Sequence, residues 1–434
     1  MRVAIIGSGG AGMTSAYLLD KTHEVTLFER SATLGGHAHT TTVQHDGRDW
    51  HADDGFAWFT DGLYPRFMRL LEIHDVPTRI VPMRWTFADT RRADALVLPP
   101  AGVAGLFRSL TAGHHRRALW RIDRAIRLGA PLVAQRNCEP SWGEFLRQHG
   151  LDDDLGRELL TPIVAGGWGG PYGRAHEFSA YAMLKYVVLN RPSSLAPFRW
   201  HVLRDGAASY IETVARRLQT TVVLRGTGIS LMERNPDGFV LTDTSGVKRC
   251  FDQVVLATGS HEARALASGL TGFDAVNRVL SRFETYTTRV ATHGDSSVMP
   301  PVRKQWSVAN LRWDGSASRM TIWVGHDGNA PVFTTAIGDQ EPSFVHNIST
   351  FRLPFVSPEH HRAQSALTAL QGQGGLWFAG DWTCDIGSHK NAVQSALLVG
   401  NQLAPDSRSL VSLMEPRHHP PFVALPGDGL RVAA

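Results

Sequence analysis

The first thirty residues constrain this chain more than any other stretch. Val3-Ala4-Ile5-Ile6 is a short apolar run of the kind that forms a buried strand. Gly7-Ser8-Gly9-Gly10-Ala11-Gly12 follows at once. A helix-like stretch over 13–21 leads to a second apolar run, Val25-Thr26-Leu27-Phe28, which ends on Glu29. Strand, GxGxxG turn, helix, strand and acid in this order predict a dinucleotide-binding βαβ unit. Gly7 permits the tight turn, Gly9 lets a pyrophosphate approach the backbone, and Gly12 lets helix and strand pack closely. The helix start, at Gly10 and Ala11, offers N–H groups and the positive end of a dipole to phosphates. Glu29 stands where an acid accepts hydrogen bonds from an adenosine ribose, with Arg30 beside it.

Later segments point to the kind of dinucleotide. Leu34-Gly35-Gly36-His37-Ala38-His39-Thr40 holds a second glycine pair, where backbone can approach the cofactor again. Asp53-Asp54-Gly55-Phe56-Ala57-Trp58-Phe59 precedes Tyr64-Pro65. Near the other end, Leu376-Trp377-Phe378-Ala379-Gly380-Asp381-Trp382 reads as an apolar strand ending in Gly-Asp, followed by Gly387 and a helix-like run over 391–403. In these features the chain resembles FAD-dependent oxidoreductases of the flavin amine oxidase superfamily. It is most similar to a bacterial branch of predicted NAD/FAD-binding oxidoreductases. Asp53, Gly55, Phe56, Tyr64 and Pro65 match one block of that branch. His293, Asp295, Met299, Pro300, Trp306 and Asn310 match a second, and Pro354, Ala363, Gln364, Gln371 and Gly372 a third. The resemblance covers most of residues 1–405. It implies FAD, held by Gly7, Gly9, Gly10, Ala11, Gly12, Glu29, Arg30, Gly35, Gly36, His37, Gly380, Asp381, His389 and Asn391.

The expected fold is α/β: a GxGxxG Rossmann-like FAD-binding domain interleaved with a mixed α+β substrate domain. The FAD-binding domain is expected to be discontinuous, from 1–75, 200–268 and 362–405. The substrate domain takes 76–199, which reads as mostly helical, and 269–361, where strand-like runs alternate with turns. An irregular tail is expected over 406–434.

A chain of 434 residues with 43% hydrophobic and 19% charged residues can bury two sizeable cores. No window of about 20 apolar residues occurs, so no transmembrane span is expected. No secretory leader is expected ahead of the first strand. Three cysteines, Cys138, Cys250 and Cys384, suit free thiols and a cytoplasmic location. The net charge of +4 is spread out except over 103–136. There Arg108, Arg116, Arg117, Arg121, Arg124 and Arg127 interleave with Leu106, Phe107, Leu110, Trp120, Ile122 and Ile126. This amphipathic, basic stretch is either a solvated helical face or a docking surface for an acyl carrier protein or a membrane surface. No nucleic-acid motif accompanies the charge. The adjacent pairs His114-His115, His360-His361 and His418-His419 should point their rings apart, and no CxxC or HxxxH set occurs, so no metal is expected. The oligomeric state is not encoded in any pattern found.

A flavin carries redox chemistry itself, and the protein supplies orientation and electrostatics. By resemblance, Asp381 bonds the ribityl or pyrophosphate region, and the helix beginning near His389 aims its start at the flavin pyrimidine ring. Lys390 there would either add positive charge beside that ring or face solvent. Amine oxidases of the superfamily commonly place an aromatic residue where this chain has Ser388, and a lysine in the region where it has Arg289. Arg289 is either an active-site group or a plain strand residue. The missing aromatic, the apolar and basic stretch over 103–136 and the resemblance to relatives that work on lipids together imply hydride abstraction from a carbon of an apolar fatty-acyl, polyketide or isoprenoid substrate, with Arg289, His389 and Lys390 as catalytic candidates and the base unidentified. The enzyme would act as a desaturase, dehydrogenase or double-bond isomerase. The alternative is an amine or amino-acid oxidase that releases imine and hydrogen peroxide.

Overall fold

The computed structural model describes residues 1–415 except 93, 101, 190–198 and 339. Its centre is a five-stranded parallel sheet in the order Val222–Leu224, Glu24–Phe28, Arg2–Ile6, Gln253–Leu256 and Leu376–Phe378. Side chains alternate across a strand, so Arg2–Ile6 feeds two cores. Val3 and Ile5 join a cluster with the helices Gly10–Leu19, Ala207–Arg217 and His389–Leu403. Ala4 and Ile6 join another with the antiparallel meander Ile229–Asn235, Gly238–Asp243, Lys248–Phe251. A parallel sheet covered on both faces needs apolar residues at every position, which is why Val3 to Ile6 is unbroken.

A seven-stranded sheet forms the second body of strands, in the order Val345–Pro354, Thr285–His293, Phe333–Ile337, Ser318–Trp323, Ala309–Trp313, Trp85–Asp89 and Leu96–Leu98. All its neighbours are antiparallel except Ala309–Trp313 against Trp85–Asp89. The helices Gly113–Ala134, Trp142–Gln148, Thr161–Trp168 and Ala180–Leu189 pack beside it around Trp142, Phe145, Phe178 and Tyr181. The α/β class expected from the sequence is the class found, and 76–199 is mostly helical as expected, but it opens with three strands not expected from the sequence. Thr78–Val81, Trp85–Asp89 and Leu96–Leu98 are strands. Each is short, and the first two pair with strands more than a hundred residues away, at Trp200–Leu203 and Ala309–Trp313, so no local periodicity announces them.

The tail also departs from expectation. Arg408–Met414 is a helix, not irregular chain. Arg66 donates to the Met414 carbonyl (2.7 Å) and Arg69 to that of Ser412 (2.9 Å), so two cations satisfy its last carbonyls. Pro416, His418, His419, Pro420 and Pro421 lie outside the described residues. Among the described residues no helix is long and apolar enough to cross a membrane.

The closest backbone approach in the central unit is at Gly12. A Cβ there would stand 1.8 Å from the Gly7 carbonyl oxygen. Gly12→Ala should therefore cost about 1–3 kcal/mol or more through overpacking. Gly173→Ala, where a Cβ meets nothing within 4 Å, should leave the melting temperature unchanged. Thermal unfolding of the two variants checks the contrast, and equal Tm values would remove the tight helix–strand contact from the account.

Candidate active site

One cavity of about 2360 Å³ runs through the molecule. One end is polar and is lined by the starts of three helices: Gly9 and Gly10, Gly259 and Ser260, and Ser388 and His389. Three helix N-termini around one space concentrate donors and positive dipole ends, which suits an anionic ligand such as a pyrophosphate. Gly9 meets Gly36 across the gap. A Cβ on Gly9 finds only the Gly35 carbonyl at 3.7 Å, and one on Gly36 finds the Gly9 Cα at 3.4 Å. This is a cradle that a methyl group would fill without disturbing the protein, and it fits a diphosphate lying against bare backbone.

Glu29 lines the same end and also braces the turn. It accepts from the Ser8 N–H (3.0 Å) and hydroxyl (2.6 Å) and from the Ser31 N–H (2.9 Å). A carboxylate has about four lone-pair sites, so roughly one remains for a ribose hydroxyl. Of the residues expected at the cofactor, Gly7, Gly9, Gly10, Ala11, Glu29, Arg30, Gly36, His37, Gly380, Asp381 and His389 line the cavity. Gly12 and Gly35 lie just behind it and fix backbone approach, with a Cβ on Gly35 only 2.5 Å from the Ala38 carbonyl. Asp381 has its carboxyl pushed up by burial, with nearby His37 pulling it back.

Several candidates lie elsewhere. Arg289 is on the surface, half-exposed and paired with Glu341. Thr287, Thr288 and Val290 around it line the cavity, while Arg289 does not. Asn391 is buried behind the helix start. Its Oδ1 accepts from the Ser388 N–H (3.2 Å) and hydroxyl (2.9 Å), so its side chain is spent on the cap. Lys390 neither reaches the cavity nor faces solvent. Its Nζ donates to Asp385 (2.8 Å), which also accepts from Lys185 (2.8 and 2.9 Å) and from the Tyr181 hydroxyl (2.9 Å). The paired ammonium groups outweigh the cost of burial and hold the Asp385 carboxyl far below the usual carboxylate range. Lys390 is therefore a structural ion-pair residue, not a bare charge beside the flavin.

His389 does line the cavity, but as a neutral ring. It stacks on Phe56 with centroids 4.0 Å apart, its Nε2 meets the Tyr210 hydroxyl at 2.8 Å, and burial pushes it down to about 3. Cys384 is half-buried, and loss of solvent around its thiol pushes it up to about 12.

A network on the cavity wall is absent from the catalytic candidates read from the sequence, although His39 beside the second glycine pair is a residue the sequence offers as lining the flavin. The His39 Nδ1 donates to Asp54 (2.7 Å), which also accepts from the Ser349 hydroxyl (2.8 Å). His39, Asp53, Asp54 and Ser349 all line the cavity. The hydrogen bond to Asp54 holds the His39 ring above its ordinary range. Asp53, buried beside Asp54, is pushed up to about 7 even though the Ala207 N–H and Thr40 hydroxyl bond it. The Asp53-Asp54 pair was visible in the sequence, but its partner Ser349 comes from a strand nearly three hundred residues on.

The other end of the cavity is apolar. Among the described residues, its lining from Gly113–Ala134, Thr161–Trp168, Ala180–Leu189, Ala309–Trp313 and Ser318–Trp323 includes Ile122, Ile126, Ile163, Val164, Met183, Leu184, Leu311, Met320 and Ile322, and no charged group. Away from the cavity, the expectation that adjacent histidines diverge fails once. His114 and His115 have ring centroids 4.2 Å apart, and both lie with Asp94 in a cluster whose ligand atoms are all within 4.8 Å of one another. Arg92, Arg116 and Arg117 share the cleft with His114 and oppose a cation there.

A glycine cradle, three helix starts and an acid at the second strand end mark a dinucleotide-binding protein of the oxidoreductase class, with apolar residues lining the rest of the same cavity. The chain belongs to the flavin containing amine oxidoreductase family, whose model matches residues 11–286. It is an FAD-dependent oxidoreductase. Among curated proteins, an L-amino acid oxidase of Cerastes cerastes is 44% identical over 55 residues, 12% of this chain and 10% of that protein's length. Among solved structures, a CLA-producing fatty acid isomerase from P. acnes superposes with a TM-score of 0.66 at 17% identity, covering 92% of this chain and 97% of that one. Cyclohexylamine oxidase from Brevibacterium oxydans IH-35A superposes with a TM-score of 0.67 at 16% identity, covering 93% and 99%. At such identities these likenesses establish the shared fold.

Gly9→Ala tests the cradle. The added methyl enters empty space, so the apoprotein should keep its Tm while the Kd for FAD rises by roughly tenfold or more, about 1.4 kcal/mol. Unchanged FAD affinity, read by flavin fluorescence on titrating apoprotein, would place the diphosphate elsewhere.

Proposed function

We propose that this enzyme removes hydride from a carbon of an apolar, acyl-like or isoprenoid chain, to desaturate it or to move a double bond. The observation that carries this reading is the uncharged lining of the apolar end of the cavity. An amine substrate is a cation near neutral pH, and placing a cation there without a carboxylate partner is costly. A hydrocarbon chain loses nothing by entering and gains about 0.8 kcal/mol per buried CH₂. Ser388 at the helix start supports the same choice, since it gives no aromatic face to hold an amine. The P. acnes protein that shares this fold is a fatty acid isomerase, and a similar substrate would suit the apolar chamber here.

FAD, when bound, supplies the hydride acceptor. The protein's own part is to place a carbon against it, exclude water and move a proton. His39 is the proton acceptor in this reading. Its Nδ1–H is committed to Asp54, which fixes the tautomer and leaves Nε2 as the basic atom. Loss of hydride from one carbon and of a proton to His39 from the next leaves a carbon–carbon double bond. In isomerisation the hydride alone would leave a carbon beside a double bond and return to a different carbon of the resulting cation, with no proton lost to His39 and no external oxidant needed. In desaturation, an external electron acceptor such as oxygen restores the oxidised state. The neutral His389 ring, stacked on Phe56, shapes the wall and takes no proton near neutral pH.

Anaerobic titration of the holoenzyme against fatty acids, polyenes and primary amines distinguishes the readings. Bleaching of the flavin absorbance by an apolar chain, or displaced double bonds in the recovered chain without net bleaching, is expected. Bleaching by amines alone would replace this reading with amine oxidation.

The base assignment is tested by pH. A His39 raised above its usual value must lose its proton to act, so the reductive rate should climb as pH rises through that raised value. Asp54→Asn removes the anion that holds it up, and the climb should move to lower pH. A profile that keeps its midpoint in Asp54→Asn would remove His39 from the mechanism.

A further inference from the structure

The helix Gly102–Thr111 is turned the wrong way for a soluble protein. Val103, Leu106, Phe107 and Leu110 follow the i, i+3, i+4, i+7 spacing of one helical stripe, which in a globular protein faces the core. Here the stripe faces water: Val103 is 86% exposed and Phe107 69%. The polar Ser109 is buried in the same turn. Four large apolar side chains in one exposed stripe mark a surface that is covered by something else.

The neighbouring helix indicates what covers it. Gly113–Ala134 follows directly after Ala112 and packs against the first helix. Its face away from the cavity carries Arg116, Arg117, Trp120 and Arg124 at i, i+1, i+4 and i+8 spacing. Trp120 is half-exposed, with the Arg124 guanidinium 5.1 Å from its ring. Arg92, His114, Arg116 and Arg117 line a cleft of about 620 Å³ beside it. An apolar stripe next to an arginine-lined cleft and an exposed tryptophan matches the layers of a lipid monolayer: acyl chains, phosphates and the interfacial zone between them.

The same hairpin lines the main cavity from its other side. Leu98 and Pro99, just before the first helix, and Ile122, Ala125 and Ile126 on the second all border it. We infer that this hairpin is a docking site for an anionic lipid surface, with the Val103–Leu110 stripe in the acyl layer and Arg116 and Arg117 on lipid phosphates, while Arg92 at the edge of the cleft is paired with Asp89. A chain leaving the bilayer would then enter the cavity without crossing water. That last step rests on the apolar-substrate reading proposed above, while the docking itself does not.

Co-sedimentation of the FAD-loaded full-length protein with vesicles tests the docking without any substrate. Vesicles of phosphatidylcholine with about one quarter phosphatidylglycerol should bind it, and pure phosphatidylcholine should bind it less. V103S/L106S/F107S should weaken partition roughly tenfold or more, as loss of inserted apolar surface requires. R116S/R117S should abolish the preference for the anionic vesicles, as added salt should. Retained FAD absorbance and circular dichroism confirm that both variants are folded. Absence of partition, or partition that the triple variant leaves unchanged, overturns the inference. So does a dimer, seen by light scattering, that V103S/L106S/F107S converts to monomer, since a second copy would then cover the stripe. Saturable binding of an acidic acyl carrier protein, lost in R116S/R117S and unaccompanied by vesicle binding, would make the partner a protein. Vesicle binding with bleaching only by amines would keep the docking and sink the substrate reading, and the converse pattern would do the reverse.

Discussion

The contact between the opening strand and the helix behind it sets the position of everything at the active site. At Gly7 and Gly12 the two backbones meet with no room for a side chain. That approach brings the start of Gly10–Leu19 to the mouth of the cavity and fixes where Glu29 can reach back to Ser8. The helix His389–Leu403 then lies along Gly10–Leu19, with Gly400 against Leu18, and inherits the same alignment. Two helix starts reach one cavity because their axes are locked together. An extra methyl group at Gly12, Gly10 or Gly400 would intrude on this arrangement from different sides.

The polar end of the cavity is made largely of backbone, whereas the middle is made of buried ionisable groups. Asp53 and Asp54 stand side by side, and their environments separate them. Asp53 is pushed towards neutrality by burial, while Asp54 spends its oxygens on His39, Thr41 and Ser349. Pairs of titratable groups held in contrasting surroundings are typical of sites that move protons.

The cofactor half of the molecule was largely legible, because its signals are local. The GxGxxG turn, the second glycine pair and the Gly380-Asp381 strand end each declare a backbone requirement within a few residues. The substrate half was not, because its signals are contacts between distant segments. Trp85–Asp89 is five residues long and finds its partner at Ala309–Trp313. His39 meets Asp54, and Asp54 meets Ser349, only in the folded chain, and Lys390 is drawn away from the cavity by Asp385, which it shares with Lys185. Nor did the amphipathic pattern over 103–136 reveal which of its faces points outward. Periodicity finds a stripe but not its direction, and in Gly102–Thr111 the usual direction is reversed while in Gly113–Ala134 it is kept.

The Lys185–Asp385–Lys390 cluster has a further meaning for how such enzymes diversify. Lys185 sits on the helix Ala180–Leu189, whose Met183, Leu184 and Val187 wall the apolar chamber. Asp385 and Lys390 belong to the turn and helix whose start, at Ser388 and His389, lines the polar end of the cavity. A buried charge pair thus bolts the chamber wall to the cofactor's helix. The two halves are not interchangeable parts. A chamber transplanted from a relative without a lysine at this point would bring a new substrate preference together with a stranded carboxylate, and new specificities should arise more readily by repainting the walls than by swapping the room.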